Sequence, residues 1–236
     1  MQYLGEFLGT MVLMILGLSI NANVSLAKTK GNGSGWLVIS LGWAAAVMVA
    51  VMMFDRISGA HFNPAVTVGL AMADEFPWAS VPFYLLAQMA GAIVGAVLVW
   101  VKFRLHFDAT EDKDKKLGVF STSPAIRSLP DNFFAEFLGT FVLVFAVVGA
   151  LELAPLHPGP IGIGGIILAI GAGMGGTTGY AINPARDLGP RIAYAFVPIK
   201  NKRNPDWGYA FIPVVAPLLG GLAAGLVGKI VFSYGI

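Results

Sequence analysis

The tripeptide Asn-Pro-Ala occurs twice in this chain, at 63–65 and at 183–185, and each copy sits in a matching context. SGAHFNPAVTVG (58–69) aligns with TGYAINPARDLG (178–189) at an offset of 120, pairing Gly59 with Gly179, Asn63 with Asn183, Pro64 with Pro184, Ala65 with Ala185 and Gly69 with Gly189. Asn is a strong N-cap, and Pro is favoured at the first helical position, where its missing N–H costs nothing. Each copy therefore predicts an abrupt helix start after a stretch of irregular backbone. The chain is 56% hydrophobic and only 12% charged, where a soluble domain carries about 25% charged residues. Irregular backbone in such a chain lies at membrane depth, where it survives only if buried in protein or lining water. One copy would read as an ordinary capped helix. Two copies in matched contexts point to a path across a membrane.

Apolar runs of spanning length fall at 3–21, 36–54, 80–101, 133–153, 160–179 and 208–232, each close to the ~20 residues that a transmembrane helix needs. Two shorter runs, 64–73 and 184–197, follow the Asn-Pro-Ala copies and are too short to span; they read as half-helices that dip into the membrane. The first run contains Glu6 and lacks a basic leader, so it reads as a retained span rather than a cleaved signal. EFLGT at 6–10 recurs at 136–140, so each half holds span, span, half-helix, span. An odd number of spans per half inverts the second half relative to the first, with a pseudo-two-fold axis in the membrane plane. The expected fold is an all-α membrane protein: six transmembrane helices and two re-entrant half-helices in an inverted 3+3 repeat. It forms one channel domain over 1–236, with repeat 1 at about 1–105, an extramembrane loop at about 106–131 and repeat 2 at about 132–236. That loop carries DATEDKDKK (108–116) and reads as solvated.

The half-helices then enter from opposite faces and meet near the midplane. Gly59, Ala60, His61 and Phe62, and their counterparts Gly179, Tyr180, Ala181 and Ile182, are expected to be extended, with carbonyls free to line the pore. The His61 ring is expected to fix its loop. A row of acceptors leading to two Asn amides suits water or a hydroxylated solute, and two facing helix N-termini repel cations and protons. The pairs Gly91/Gly95, Gly171/Gly175 and Gly221/Gly225 fit close helix packing.

With paired Asn-Pro-Ala and paired EFLGT, the chain resembles the aquaporin superfamily over its full length, and within it the aquaglyceroporin or bacterial glycerol-facilitator branch. The resemblance implies a homotetramer with one pore per subunit, embedded in the lipid bilayer of a bacterial plasma membrane. It also implies a selectivity filter at Trp43, Gly171, Tyr180 and Arg186, the last read from NPAR at 183–186. Trp43 precedes Asn63 by twenty residues and Gly171 precedes Asn183 by twelve, as in the glycerol-conducting branch. Water-selective members are similar but carry His where this chain has Gly171, which leaves volume there. Asp187 is shared with the branch; it also stands one helical turn before Arg191 and fits a pair with it. Glu6 and Glu136 are implied to brace the re-entrant loops. Tyr180 departs from the Phe of well-known facilitators, and its phenol brings a donor and an acceptor to the slot.

The expected solutes are therefore glycerol and water, with protonated lactic acid, urea and dihydroxyacetone as alternatives. A water-selective channel and, more distantly, an ion-coupled secondary transporter are the competing functions. The chain has no cysteine, and no metal-ligand cluster, cofactor motif or nucleophile–base pair stands out, so neither an enzyme nor a cofactor is expected. The net charge of +2 is carried in loops and gives no reason to expect a nucleic-acid partner. His106 and His157 fall in loops and carry no signal. Thirteen of the 15 Lys and Arg residues fall between spans 1–2, 3–4 and 5–6. Counted alone they would put those loops in the cytoplasm, whereas the resemblance puts the termini there.

Overall fold

The computed structural model describes residues 1–152 and 159–233; His157 lies outside them. Nine α-helices occur among the described residues: α1 Gln2–Ser25, α2 Trp36–Ser58, α3 Pro64–Met72, α4 Val81–Ala109, α5 Lys113–Phe120, α6 Leu129–Glu152, α7 Gly159–Gly173, α8 Pro184–Phe196 and α9 Ile212–Ser233. Five, namely α1, α2, α4 with its lead-in turn, α6 and α9, are long and apolar enough to cross a membrane. The expected span at 160–179 is the shorter apolar helix α7. It stops at Gly173 because Met174-Gly-Gly-Thr-Thr-Gly179 gives the backbone little to continue a helix with.

The two repeats share most of their packing, although α2 lies closely on α1 whereas α7 touches α6 only lightly. Each final span lies on its own first span (α4 on α1, α9 on α6), and the two second spans, α2 and α7, lie on each other. The half-helices cross over: α3 packs on α9 and α8 on α4. Glycines allow this closeness. A Cβ at Gly91 would stand 2.2 Å from the Phe7 carbonyl oxygen in α1, and one at Gly95 2.7 Å from Met14 Cβ. In α9, Cβ atoms at Gly221 and Gly225 would stand 2.3 and 2.1 Å from the Ala65 and Gly69 carbonyl oxygens of α3. Without a hydrophobic drive between helices in lipid, such backbone approach is what van der Waals packing there depends on.

The segment between the repeats differs from the expected solvated loop. Helix α4 continues to Ala109, so His106 is helical, and its Nδ1 lies 3.0 Å from the Ala27 carbonyl oxygen. Helix α5 then starts at an Asp112 N-cap, whose carboxylate accepts from the Asp114 and Lys115 N–H groups. Leu117, Val119 and Phe120 are buried, with Phe120 between Phe107 and Tyr194. The charges from Asp108 to Lys115 lie before and along the exposed face of α5. Lys116 turns inward, its Nζ donating to the Lys200 carbonyl oxygen at 2.7 Å, and the apolar residues that follow fold inward with it.

Candidate functional site

Both Asn-Pro-Ala copies begin helices as their chemistry dictates. Asn63 Oδ1 accepts from Ala65 N at 2.9 Å, and Asn183 Oδ1 accepts from Ala185 N at 3.0 Å and Arg186 N at 3.1 Å, with Pro64 and Pro184 opening the first turns. Each asparagine then reaches into the other repeat. Asn63 Nδ2 donates to the Ile182 carbonyl oxygen at 2.8 Å, and Asn183 Nδ2 to that of Phe62 at 2.9 Å. An amide nitrogen has two N–H donors, so one from each asparagine remains for a solute.

Three of the four residues leading into each helix are not extended, contrary to the expectation from the sequence. Gly59, Ala60 and Phe62 have φ of 79°, 52° and 49°, and Gly179, Tyr180 and Ile182 have 86°, 38° and 40°. The same three places in each copy are left-handed, a conformation that non-glycine residues adopt only when surroundings impose it. The glutamates impose it. Glu6 Oε1 accepts from His61 N at 3.0 Å and Oε2 from Phe62 N at 2.8 Å; Glu136 takes Ala181 N and Ile182 N at 3.0 and 2.8 Å. Ser58 Oγ and Gln88 Nε2 add a 2.7 Å bond each to Glu6. His61 Nδ1 lies 3.1 Å from Thr67 Oγ1, and its ring rests against Phe76 and Tyr84, so the ring does hold its loop. The Phe62 and Ile182 carbonyls, expected free, each already accept one asparagine and keep a single lone pair for anything passing.

Two cavities meet inside the bundle. One runs from Asp55 past the two asparagines to Arg186, its wall built from apolar residues of α1, α2, α6 and α7 such as Leu13, Val51, Leu143 and Ile167. The other opens among Asn21, Trp36, Asp114, Arg127 and Arg203. Among the described residues, only Trp43, Tyr180 and Arg186 line both. The Arg186 Cζ stands 4.1 Å from the Trp43 ring centroid, a cation–π distance. Trp43 is 5% exposed, which excludes the lipid-facing belt as its place. Its Nε1 donates to Asn21 Oδ1 at 3.0 Å, and a Cβ at Gly17 would stand 2.5 Å from its ring.

Gly171 lines neither cavity. A Cβ there would stand 2.9 Å from Tyr180 Cζ and 3.0 Å from the Tyr180 hydroxyl oxygen. The volume that Gly171 leaves is taken by the Tyr180 ring, not handed to a solute. That hydroxyl is buried beyond the reach of water, so the extra donor and acceptor of the phenol face the protein wall rather than the lumen.

Behind the arginine, the segment after α5 is latched to α8. Arg186 Nη1 donates to the Phe120 carbonyl oxygen at 3.3 Å. Asp187 accepts from both the backbone N and Oγ1 of Thr122 at 2.7 Å, and pairs with Arg191 Nη2 at 2.7 Å, both side chains fully buried. Asp187 thus braces the loop and pairs with Arg191 at once. Arg191 Nη2 also reaches the Thr122 carbonyl oxygen at 3.0 Å. Sequence reasoning passed over Asn21, Phe120 and Thr122. Asn21 was detectable as an amide in an apolar span. Phe120 and Thr122 act largely through backbone groups, which residue identity does not reveal.

A bundle of membrane helices that clasps two half-helices cap to cap, with one cavity running past the clasp to Arg186 and a second beyond it, defines a multi-pass membrane channel. The chain belongs to the major intrinsic protein family, whose model matches residues 1–228. It is 51% identical over 228 residues to a glycerol uptake facilitator protein of Streptococcus pneumoniae, covering 96% of this chain and 97% of that one. It is 48% identical over 230 residues to glycerol uptake facilitator protein 3 of Lactiplantibacillus plantarum, covering 96% and 95%. Among solved structures it is similar to the aquaglyceroporin from Plasmodium falciparum, with a TM-score of 0.84, 32% identity and coverage of 98% of this chain and 95% of that chain.

Proposed function

We propose that this protein is a passive channel for glycerol and similar small neutral solutes, with water, across the plasma membrane. Trp43, Tyr180 and Arg186 form its filter around the slot, and Gly171 acts by seating Tyr180. The observation that carries this reading is that these three residues, alone among the described ones, line both cavities, with the guanidinium over the indole. Phe120 is the one protein acceptor recorded for the Arg186 side chain among the described residues. A guanidinium has five N–H donors, so hydroxyl oxygens find donors there while the carbon backbone lies on Trp43 and Tyr180. Deeper in, the spare N–H of each asparagine and the carbonyls of the two loops continue the polar line beside an apolar wall. With its hydroxyl buried, Tyr180 offers a passing solute its ring rather than a polar group. The names of the facilitator relatives support glycerol as the solute. We further infer a homotetramer, each subunit with its own pore, from the family resemblance.

Stopped-flow light scattering on proteoliposomes tests this. Fast re-swelling in glycerol, altered in a Trp43→Ala/Tyr180→Ala double variant, is the expected result. Fast water flux without glycerol entry would overturn the glycerol assignment and leave a water channel. Flux that follows a proton or sodium gradient would replace the channel with a coupled transporter.

A further inference from the structure

Trp36 begins α2 in the lining of the second cavity, the one that opens among Asn21, Asp114 and Arg203, at a helix end where tryptophan is ordinarily a membrane-interface anchor. Its contacts here are more particular. Helix α7 ends at Gly173, so its last carbonyls lack helical partners. The Trp36 indole caps one of them, Nε1 donating to the Gly171 carbonyl oxygen at 2.9 Å. The same ring meets Tyr180 edge to face, with centroids 5.7 Å apart and planes at 76°, a favoured aromatic geometry. Gly175 lies in the angle between them: a Cβ there would stand 2.4 Å from Tyr180 Cδ1 and 2.8 Å from Trp36 Cζ2. Tyr180 is therefore held on two sides outside the lumen, by the Gly171/Gly175 notch and by the Trp36 ring. Its backbone is left-handed, at a φ of 38°, so the side chain is set by its surroundings rather than by local preference.

We infer that Trp36 is a positioning residue for solute selection. It fixes how far Tyr180 stands from Trp43 and Arg186, both by ring contact and by tying down the Gly171 end of α7. This inference rests on the filter proposed above. Without the indole, Tyr180 can swing toward the second cavity, which Trp36 lines, and the slot loses its size limit for polyols longer than glycerol.

The test measures glycerol and xylitol entry into proteoliposomes, each normalised to inserted protein, for the wild type, Trp36→Ala, Trp36→Phe, Tyr180→Ala and the Trp36→Ala/Tyr180→Ala double variant. In Trp36→Ala the glycerol-to-xylitol ratio is expected to fall by roughly twofold to tenfold, the range that the loss of one aromatic pair allows. Trp36→Phe keeps a ring on Tyr180 but frees the Gly171 carbonyl, and is expected to shift the ratio the same way by less. It also serves if Trp36→Ala fails to insert. In the Tyr180→Ala background, Trp36→Ala is expected to add nothing, as coupling between the two residues requires. An unmoved ratio in both Trp36 single variants overturns the inference, and so does a full additional shift in the double variant, which would place Trp36 in direct contact with solute. Absence of glycerol entry through the wild type sinks the glycerol assignment itself, and this inference with it. Wild-type entry with an unmoved ratio sinks the role of Trp36 alone.

Discussion

An alanine at 171 would bring its methyl carbon to 2.9–3.1 Å from three atoms of the Tyr180 phenol. The ring cannot retreat, because Gly175 and Trp36 close the space behind it, so it must give toward Trp43 and Arg186. Overpacking of this kind costs about 1–3 kcal/mol, and each 1.4 kcal/mol is about tenfold in an equilibrium. Gly171→Ala is accordingly expected to cut glycerol flux by about tenfold while reducing water flux less. Equal loss of both in the stopped-flow assay would mean that the pore has collapsed rather than narrowed. This position also marks how far the sequence can be read at residue scale. Glycine at 171 is legible as missing bulk, and Asn63, Asn183 and Arg186 are legible because their chemistry is local: a cap, a Pro and a charge next to it. Which way the Tyr180 hydroxyl points is not legible, since it depends on a glycine nine residues away and on an indole from another helix.

Among the elements, α8 and α5 were read least completely. A short half-helix ends with carbonyls that lack partners. In α8 Lys202 supplies them, Nζ donating to the Tyr194, Ala195 and Val197 carbonyl oxygens at 2.7, 2.8 and 2.7 Å. Burial pushes this ammonium below the ordinary lysine range, the cost of bringing the cation to the helix end. Lys202→Met is expected to destabilise the protein by about 1.5–3 kcal/mol, the range for hydrogen bonds to a charged group. A lower denaturation midpoint in detergent micelles would register it; an unchanged midpoint would show that water replaces the cap without loss. The start of α8 was visible in the sequence through Asn-Pro, whereas its C-terminal cap comes from a lysine beyond a turn. Helix α5 hid for a related reason. Its first half is charged enough to pass for solvated chain, and only its contacts with Phe107 and Tyr194 show that Leu117, Val119 and Phe120 have an interior to enter.

For the whole molecule, the inverted repeat was legible because it is written twice, and the swapped packing of α3 and α8 follows from it. The excess of basic residues on one side has a structural explanation. Arg186 and Arg191 lie within α8, and Lys116 and Lys202 donate to backbone carbonyls. Arg127, Lys200 and Arg203 pair with Asp206, Asp108 and Asp114. These seven residues are engaged in contacts within the fold, so counting them is a poor guide to orientation. A cysteine at the exposed position 113 is therefore expected to react with an impermeant maleimide on intact cells. Protection there, with labelling only after permeabilisation, would reverse the orientation.

The asparagine clasps carry one further consequence. Each half completes the other's loop: Asn63 serves Ile182, and Asn183 serves Phe62. The chain behaves as two partners in permanent mutual custody that happen to share one backbone. Since the clasp and the swapped half-helices already join them, the tether between them is released from that duty. A linker with no joining left to do can take up another task. Here it bends inward as α5, and the Phe120 carbonyl that it delivers is where Arg186, on the boundary shared by the two cavities, finds its acceptor.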